Sequence, residues 1–195
     1  MEQIAEKKKA IFESTLELVK DNGFHGTPMS MVAKNAGVAA GTIYHYFESK
    51  ENLLCELFSY IRKQMIEAVQ QGDDESIPYK DRFFGVCMNL YWFYINNPNV
   101  LKFFEQFVNS PYNEKGSMSD DFNSLLFNFY QKGIKSGQIR NVTPEIASVL
   151  AHGNVITMAK IHTFGKIAFE DTDLKQILQI LWNGMTNNQS TDQDT

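Results

Sequence analysis

Cysteine is scarce in this chain. Its 195 residues hold only Cys55 and Cys87, far apart and outside any C-x-x-C spacing, so neither a disulfide framework nor a zinc-binding pattern is present. Both read as packed thiols. Proline occurs five times, and residues alternating with a period of two are not sustained anywhere, which excludes a sheet protein. No run of about 18 or more apolar residues occurs, and no charged segment leads into a short apolar one. Neither a membrane span nor an export signal is therefore read, and the expected location is the cytoplasm. Positive charge is also short: the net charge is −5, and the first 70 residues carry 8 Lys+Arg against 9 Asp+Glu. That balance excludes a protein that coats nucleic acid indiscriminately, so any contact with nucleic acid must rest on a few placed groups. The fingerprints G-x-S-x-G, H-E-x-x-H, P-loop and G-x-G-x-x-G are missing as well, so no enzyme chemistry and no cofactor are expected.

What remains is a chain with 43% hydrophobic residues that repeat every three or four positions, the period of amphipathic helices. The reading is all-α, about nine helices. The first runs from about Glu2 to Asp21 and ends at Asn22-Gly23, a helix-stop pair. Thr27-Pro28 is a helix start: Thr27 can cap the free amides while Pro28 supplies the fixed φ of the first helical position. Met29 to Asn35 is then a short second helix. Gly37 suits a left-handed cap, and Ala39 or Ala40 opens a third helix reaching about Tyr46. Lys50 to about Gln71 is a long fourth helix. Gly72 to Glu75 is an acidic polar boundary with carboxylates expected to be solvated, and further helices are expected at about 78–96, 99–109, 119–136, 144–163 and 171–187. The tail 188–195 has no apolar residue and reads as disordered.

The stretch 28–47 carries the functional signal. A short helix, a glycine turn and a second short helix follow one another without spare residues, the grammar of a helix-turn-helix. Ala33 is small enough for the helices to cross closely, while Val38, Ile43 and Phe47 are spaced to pin the second helix to a core. A helix from Ala40 to Tyr46 is about 10 Å long and fits a B-DNA major groove about 12 Å wide. Thr42 and His45 can hydrogen-bond to base edges or phosphates, Tyr44 and Tyr46 can reach phosphates, and Gly41 permits close backbone approach. Core packing against the fourth helix is the alternative for either tyrosine. Lys50 can join its charge to free helix-start amides to hold a phosphate, or it is an ordinary solvated lysine.

The segment AGVAAGTIYHYFESKENLL, Ala36 to Leu54, resembles the tetracycline-repressor (TetR) family of regulators. The resemblance covers about the first 60 residues. It is carried by the glycine turn, by G-T-x-Y-x-Y-F at Gly41 to Phe47, and by S-K-E-x-L-L at Ser49 to Leu54. It implies a three-helix DNA-binding head at 1–49 and a larger helical-bundle domain for ligand binding and dimerisation at 50–187, with the helix 50–71 connecting the two. The implied DNA-contacting positions are Thr27, Ala40, Gly41, Thr42, Tyr44, His45 and Lys50. The implied partners are double-stranded operator DNA, a second copy of the chain and a small-molecule effector, with repression and ligand-induced release as the family default. The chain departs from the family at Ala39-Ala40, where members often carry serine or threonine and then a basic residue.

Three successive helices of the body are rich in aromatic residues. These are either plain core or the walls of an apolar cavity, for which Tyr91, Trp92, Phe103, Phe107, Phe127, Tyr130 and His152 are the candidate lining. His152 and His162 stand ten residues apart, on different sides of one helix and not at metal-pair spacing. The last two helices carry more apolar surface than one bundle edge needs. Ile146, Val149, Leu150 and Gly153, with Leu178, Leu181, Trp182 and Met185, are the expected interface of a symmetric homodimer. The alternative is that they close the chain's own core. A helical module that binds protein through a helix-turn-helix scaffold is the rival to a DNA-binding regulator.

Overall fold

The computed structural model describes residues 2–113, 121–165 and 167–186. Among them are nine helices and no strand: α1 (Glu2–Asn22), α2 (Met29–Asn35), α3 (Ala40–Tyr46), α4 (Lys50–Gly72), α5 (Tyr79–Asn96), α6 (Pro98–Val108), α7 (Asp121–Lys135), α8 (Pro144–Phe164) and α9 (Asp171–Met185). The expected tail 188–195 lies outside the described residues.

Several boundaries follow from local chemistry. Gly23, Gly37 and Gly137 each take φ between 66° and 74°, the left-handed conformation that a side chain resists, and each stands where the chain leaves a helix. Thr143 caps α8 by accepting a hydrogen bond from the Ile146 amide at 3.4 Å, with Pro144 in the first turn. At the start of α9, Glu170 and Asp173 satisfy each other's backbone amides in a capping box. The start of α2 differs from the expected one. Its N-cap position is Pro28, with no side-chain cap, while the Thr27 hydroxyl donates backwards to the Gly23 carbonyl at 2.8 Å. A buried hydroxyl there satisfies the turn that closes α1.

The chain packs as two compact units, one formed by Met1–Lys63 and Asn97–Ser119, the other by Gln64–Asn96 and Asp120–Thr195. α4 passes from the first into the second. In the first unit α6 packs on α1. Phe24 lies edge-on to Phe103 with centroids 5.4 Å apart, and Phe58 stacks on Phe107 at 4.1 Å. Gln106 donates to the Val19 carbonyl at 3.3 Å, and Lys8 pairs with Glu56 at 2.5 Å to tie α1 to α4.

The second unit is built on α5, α7, α8 and α9. Tyr79 stacks on Phe129 with centroids 4.9 Å apart and donates its hydroxyl to the Phe129 carbonyl at 3.1 Å. Gly133 makes room for that ring: a methyl group there would stand 2.4 Å from Cζ and Oη of Tyr79, closer than a packed core tolerates. The acidic stretch after α4 is engaged, not simply solvated. Asp73 accepts from Nε of the buried Arg82 at 2.6 Å, and Glu75 pairs with Lys132 at 2.6 Å. Cys87 is buried, and burial pushes its thiol up to about 12, so it stays protonated.

Candidate nucleic-acid interface

α3 is seven residues long, and only Ile43 and the following Phe47 face the core, both fully buried. Phe47 ends the helix in extended backbone and sets its ring 5.5 Å from Phe12 of α1. Its inward side therefore acts as a two-residue anchor. The opposite side is open. Ala40, Gly41, Tyr44 and His45 are exposed, Tyr44 to 56%, which removes core packing as the role of that ring. Thr42 is half-buried and so is Tyr46, whose ring lies 5.7 Å from His45 and 6.4 Å from Phe47. A Cβ added at Gly41 would meet nothing within 4 Å, so the backbone there is open to the outside.

Two of the sequence-derived contact residues are placed otherwise than expected. Thr27 is buried, with its hydroxyl committed to Gly23, so it shapes the α1–α2 turn and presents nothing outward. The Lys50 ammonium donates to the Phe24 carbonyl, and its partial burial lowers its pKa below the ordinary lysine value. It is therefore neither freely solvated nor free for a phosphate without sharing its protons. At the same helix start Ser49 accepts from the Asn52 amide at 3.1 Å, which takes up one amide that an anion would otherwise meet.

Residues 78–186 match the family model described as "Tetracyclin repressor-like, C-terminal domain", and residues 11–57 match "Bacterial regulatory proteins, tetR family". The chain belongs to the TetR family. It is 25% identical over 90% of its length to an uncharacterised HTH-type transcriptional regulator of Haemophilus influenzae, covering 93% of that protein. A TetR family transcription regulator from Marinobacter aquaeolei has the same fold, with TM-score 0.84 at 23% identity over 95% of this chain and 98% of that one. So has the transcriptional regulator FadR of Bacillus subtilis in complex with stearoyl-CoA, with TM-score 0.75 at 23% identity over 90% and 95%. The helical architecture read from periodicity is the TetR fold, and the protein is a DNA-binding transcriptional regulator. Among the described residues no helix is long and apolar enough to cross a membrane.

The seven cavity candidates of this TetR chain divide between the two units. Phe103 and Phe107 belong to the first unit, where they pack with Phe24 and Phe58. Tyr91, Trp92, Phe127, Tyr130 and His152 belong to the second. Tyr91 and Tyr130 are buried, Phe127 and His152 are half-buried and Trp92 is exposed. Helical spacing showed that α6 has an apolar face but not which partner would cover it. Sequence reasoning also missed a pairing. The Tyr91 hydroxyl lies 2.6 Å from Nδ1 of His162, and the Tyr94 hydroxyl 3.0 Å from Nε2 of His152. Ten residues leave the two histidines about 80° apart around α8, close enough for both to reach α5. The order of the pairs is reversed along the two helices, so α5 and α8 run antiparallel.

Burial holds His152 down at about 4, so the ring is neutral in the folded protein at neutral pH. The unfolded chain takes up a proton near the ordinary histidine value of about 6.5, and the folded chain does so only at the lower value. Stability contributed by the neutral ring is thus complete above about pH 6.5 and is lost as pH falls towards 4, by about 2 to 3 kcal/mol. Urea titrations at pH 7 and pH 4.5 should show this fall in the wild type and a smaller one in His152→Gln. Equal falls in both proteins would remove His152 as the cause.

The expected dimer residues divide as well. Leu178, Trp182 and Met185 are buried within the second unit, where Trp182 packs 5.3 Å from Phe83. They close the chain's own core, the alternative reading of that stripe. Ile146, Val149 and Leu150 remain exposed on one face of α8, with Gly153 and Leu181 half-buried.

Proposed function

We propose that this regulator is a repressor that binds a near-palindromic operator as a homodimer and leaves it when a largely apolar effector of the acyl-thioester class enters the body. The observation that carries the DNA half is the divided character of α3: a fully buried anchor at Ile43 and Phe47 beneath an exposed face of Gly41, Tyr44 and His45. Such a helix can enter a major groove without disturbing what holds it. Tyr44 and His45 are assigned to base edges or phosphates, Thr42 and Tyr46 to the flanks, and the Ala40-Gly41 backbone to close approach. Lys50 joins α4 to the α1–α2 turn, and a phosphate could take only the protons that the Phe24 carbonyl leaves.

One such head reads only a few base pairs, so useful specificity calls for two heads on a symmetric site. The uncovered Ile146, Val149 and Leu150 support pairing through α8. Support for the effector class is the fold shared with the Bacillus subtilis FadR, which was solved with stearoyl-CoA. The second unit supplies aromatic side chains for an acyl chain and the Tyr91–His162 and Tyr94–His152 pairs as polar landmarks. To release the operator, the effector must bind the two arrangements of the dimer unequally, with a coupling of about 1 to 3 kcal/mol.

Gel-shift titration against DNA from upstream of the regulator's own gene tests both halves. Tyr44→Ala should weaken binding by about 1 to 3 kcal/mol and relax specificity at one position, while leaving the melting temperature unchanged. Wild-type affinity in that variant would refute the docking. Stearoyl-CoA, but not free coenzyme A, should release the wild-type complex. Indifference to a series of acyl chain lengths would refute the effector class and leave the DNA half standing.

A further inference from the structure

We propose that a groove between α1 and α4 in the first unit, lined by residues that belong neither to α3 nor to the second unit, is a binding site for a small aromatic carboxylate. The groove has a volume of about 330 Å³, at the lower end of the range for small-molecule sites of about 300 to 1,000 Å³. Its floor is aromatic. The Phe12 ring, itself buried, lies 5.1 Å from the Tyr60 ring at an angle of 32°, and a planar apolar body can lie against this pair.

The rim is cationic, in a chain whose net charge is −5. Lys8, Lys9 and Lys63 line the groove against one carboxylate, Glu56. Lys8 is already committed to Glu56 at 2.5 Å, which fixes that wall. Lys9 reaches Glu13 only at 3.8 Å, with both side chains about two-thirds exposed, so little holds it there. Lys63 is exposed at the opposite end, one turn beyond the hydroxyl of Ser59. Among the described residues none forms an ion pair with Lys63, so an anion at that end gains its ammonium together with a hydroxyl donor. An aromatic floor with a cationic end selects a flat apolar anion over a neutral or cationic body of the same size.

Isothermal titration of the full-length protein with sodium 2-naphthoate tests this, with 2-naphthylmethanol as the neutral counterpart. The wild type should bind naphthoate more tightly than the alcohol, and Lys63→Gln should weaken naphthoate by about threefold to fivefold while leaving the alcohol unchanged. Lys63→Arg should restore the preference. Tyr60→Ala should lose both ligands, and its unfolding midpoint, measured alongside, should show that the head is intact. If Tyr60→Ala does not fold, Tyr60→Leu should keep the fold and weaken both ligands. Equal affinity for acid and alcohol, an unchanged Lys63→Gln titration, or no heat of binding in the wild type would each overturn the proposal.

Discussion

Val149→Glu is expected to convert the protein to a monomer that no longer holds its operator. Val149 is 72% exposed, the most open of the large apolar side chains on the described surface, and Ile146 and Leu150 flank it on the same face of α8 at 48% and 41%. The described residues of its own chain leave much of this strip open. In a symmetric dimer each introduced carboxylate would be forced out of water beside its symmetry mate, at a cost of about 3 kcal/mol or more. Losing the second head removes the avidity of two tethered contacts, about 100-fold or more in operator affinity. The residue bears on no core, so the circular dichroism spectrum should not change. Light scattering at micromolar concentration reads the mass directly: a monomeric wild type, or a variant that remains dimeric, defeats this assignment.

Phe47→Ala should have the largest effect on stability. The side chain is fully buried, its ring lies 5.5 Å from Phe12, and the Lys8 ammonium stands 5.4 Å from its centroid. Truncating such a phenylalanine costs about 3 to 5 kcal/mol. With Ile43 as the only remaining anchor, α3 should lose its fixed pose, and operator binding should vanish. Hydrogen exchange read by mass spectrometry separates a local from a general effect. Protection should fall in α1 to α3 and in α6, which shares their unit, while α5 and α7 to α9 keep theirs. A change below about 1 kcal/mol in urea unfolding would show that the pocket collapses around the smaller residue.

The helices were legible because their stops are written in residue chemistry. Asn22-Gly23, Gly37 and Gly137 mark turns that need a positive φ, and all three glycines have it. The buried and open faces of α3 were legible for a similar reason, since four positions are close to one helical turn and bring Ile43 and Phe47 to one side. What could not be read were partnerships across space. Periodicity gives α6 an apolar stripe, but only the fold shows that Phe103 and Phe107 meet Phe24 and Phe58. It gives α9 a stripe too, yet whether Trp182 meets Phe83 or a second copy is decided by how α5 lies. Thr27 illustrates the same limit at close range. Its position before Pro28 is that of a cap, but its hydroxyl donates to the Gly23 carbonyl and α2 has no side-chain cap. The Tyr–His pairs between α5 and α8 had no sequence signal at all, because neither residue type at those spacings implies the other.

The poverty of cations at the reading face has a consequence for how operator occupancy responds to ionic strength. α3 contains no lysine or arginine, and the ammonium at the start of α4 is already shared with the Phe24 carbonyl. Binding to duplex DNA displaces condensed counterions in proportion to the phosphates neutralised, with a logarithmic slope of about −0.9 for each. A head that docks mainly through hydroxyl, imidazole and backbone groups displaces few of them. Its grip on the operator should therefore change little when salt rises, where a regulator that holds DNA with a row of arginines would lose several orders of magnitude. Occupancy in such a protein should follow its own concentration, and the effector proposed above, more closely than the ionic strength of its surroundings.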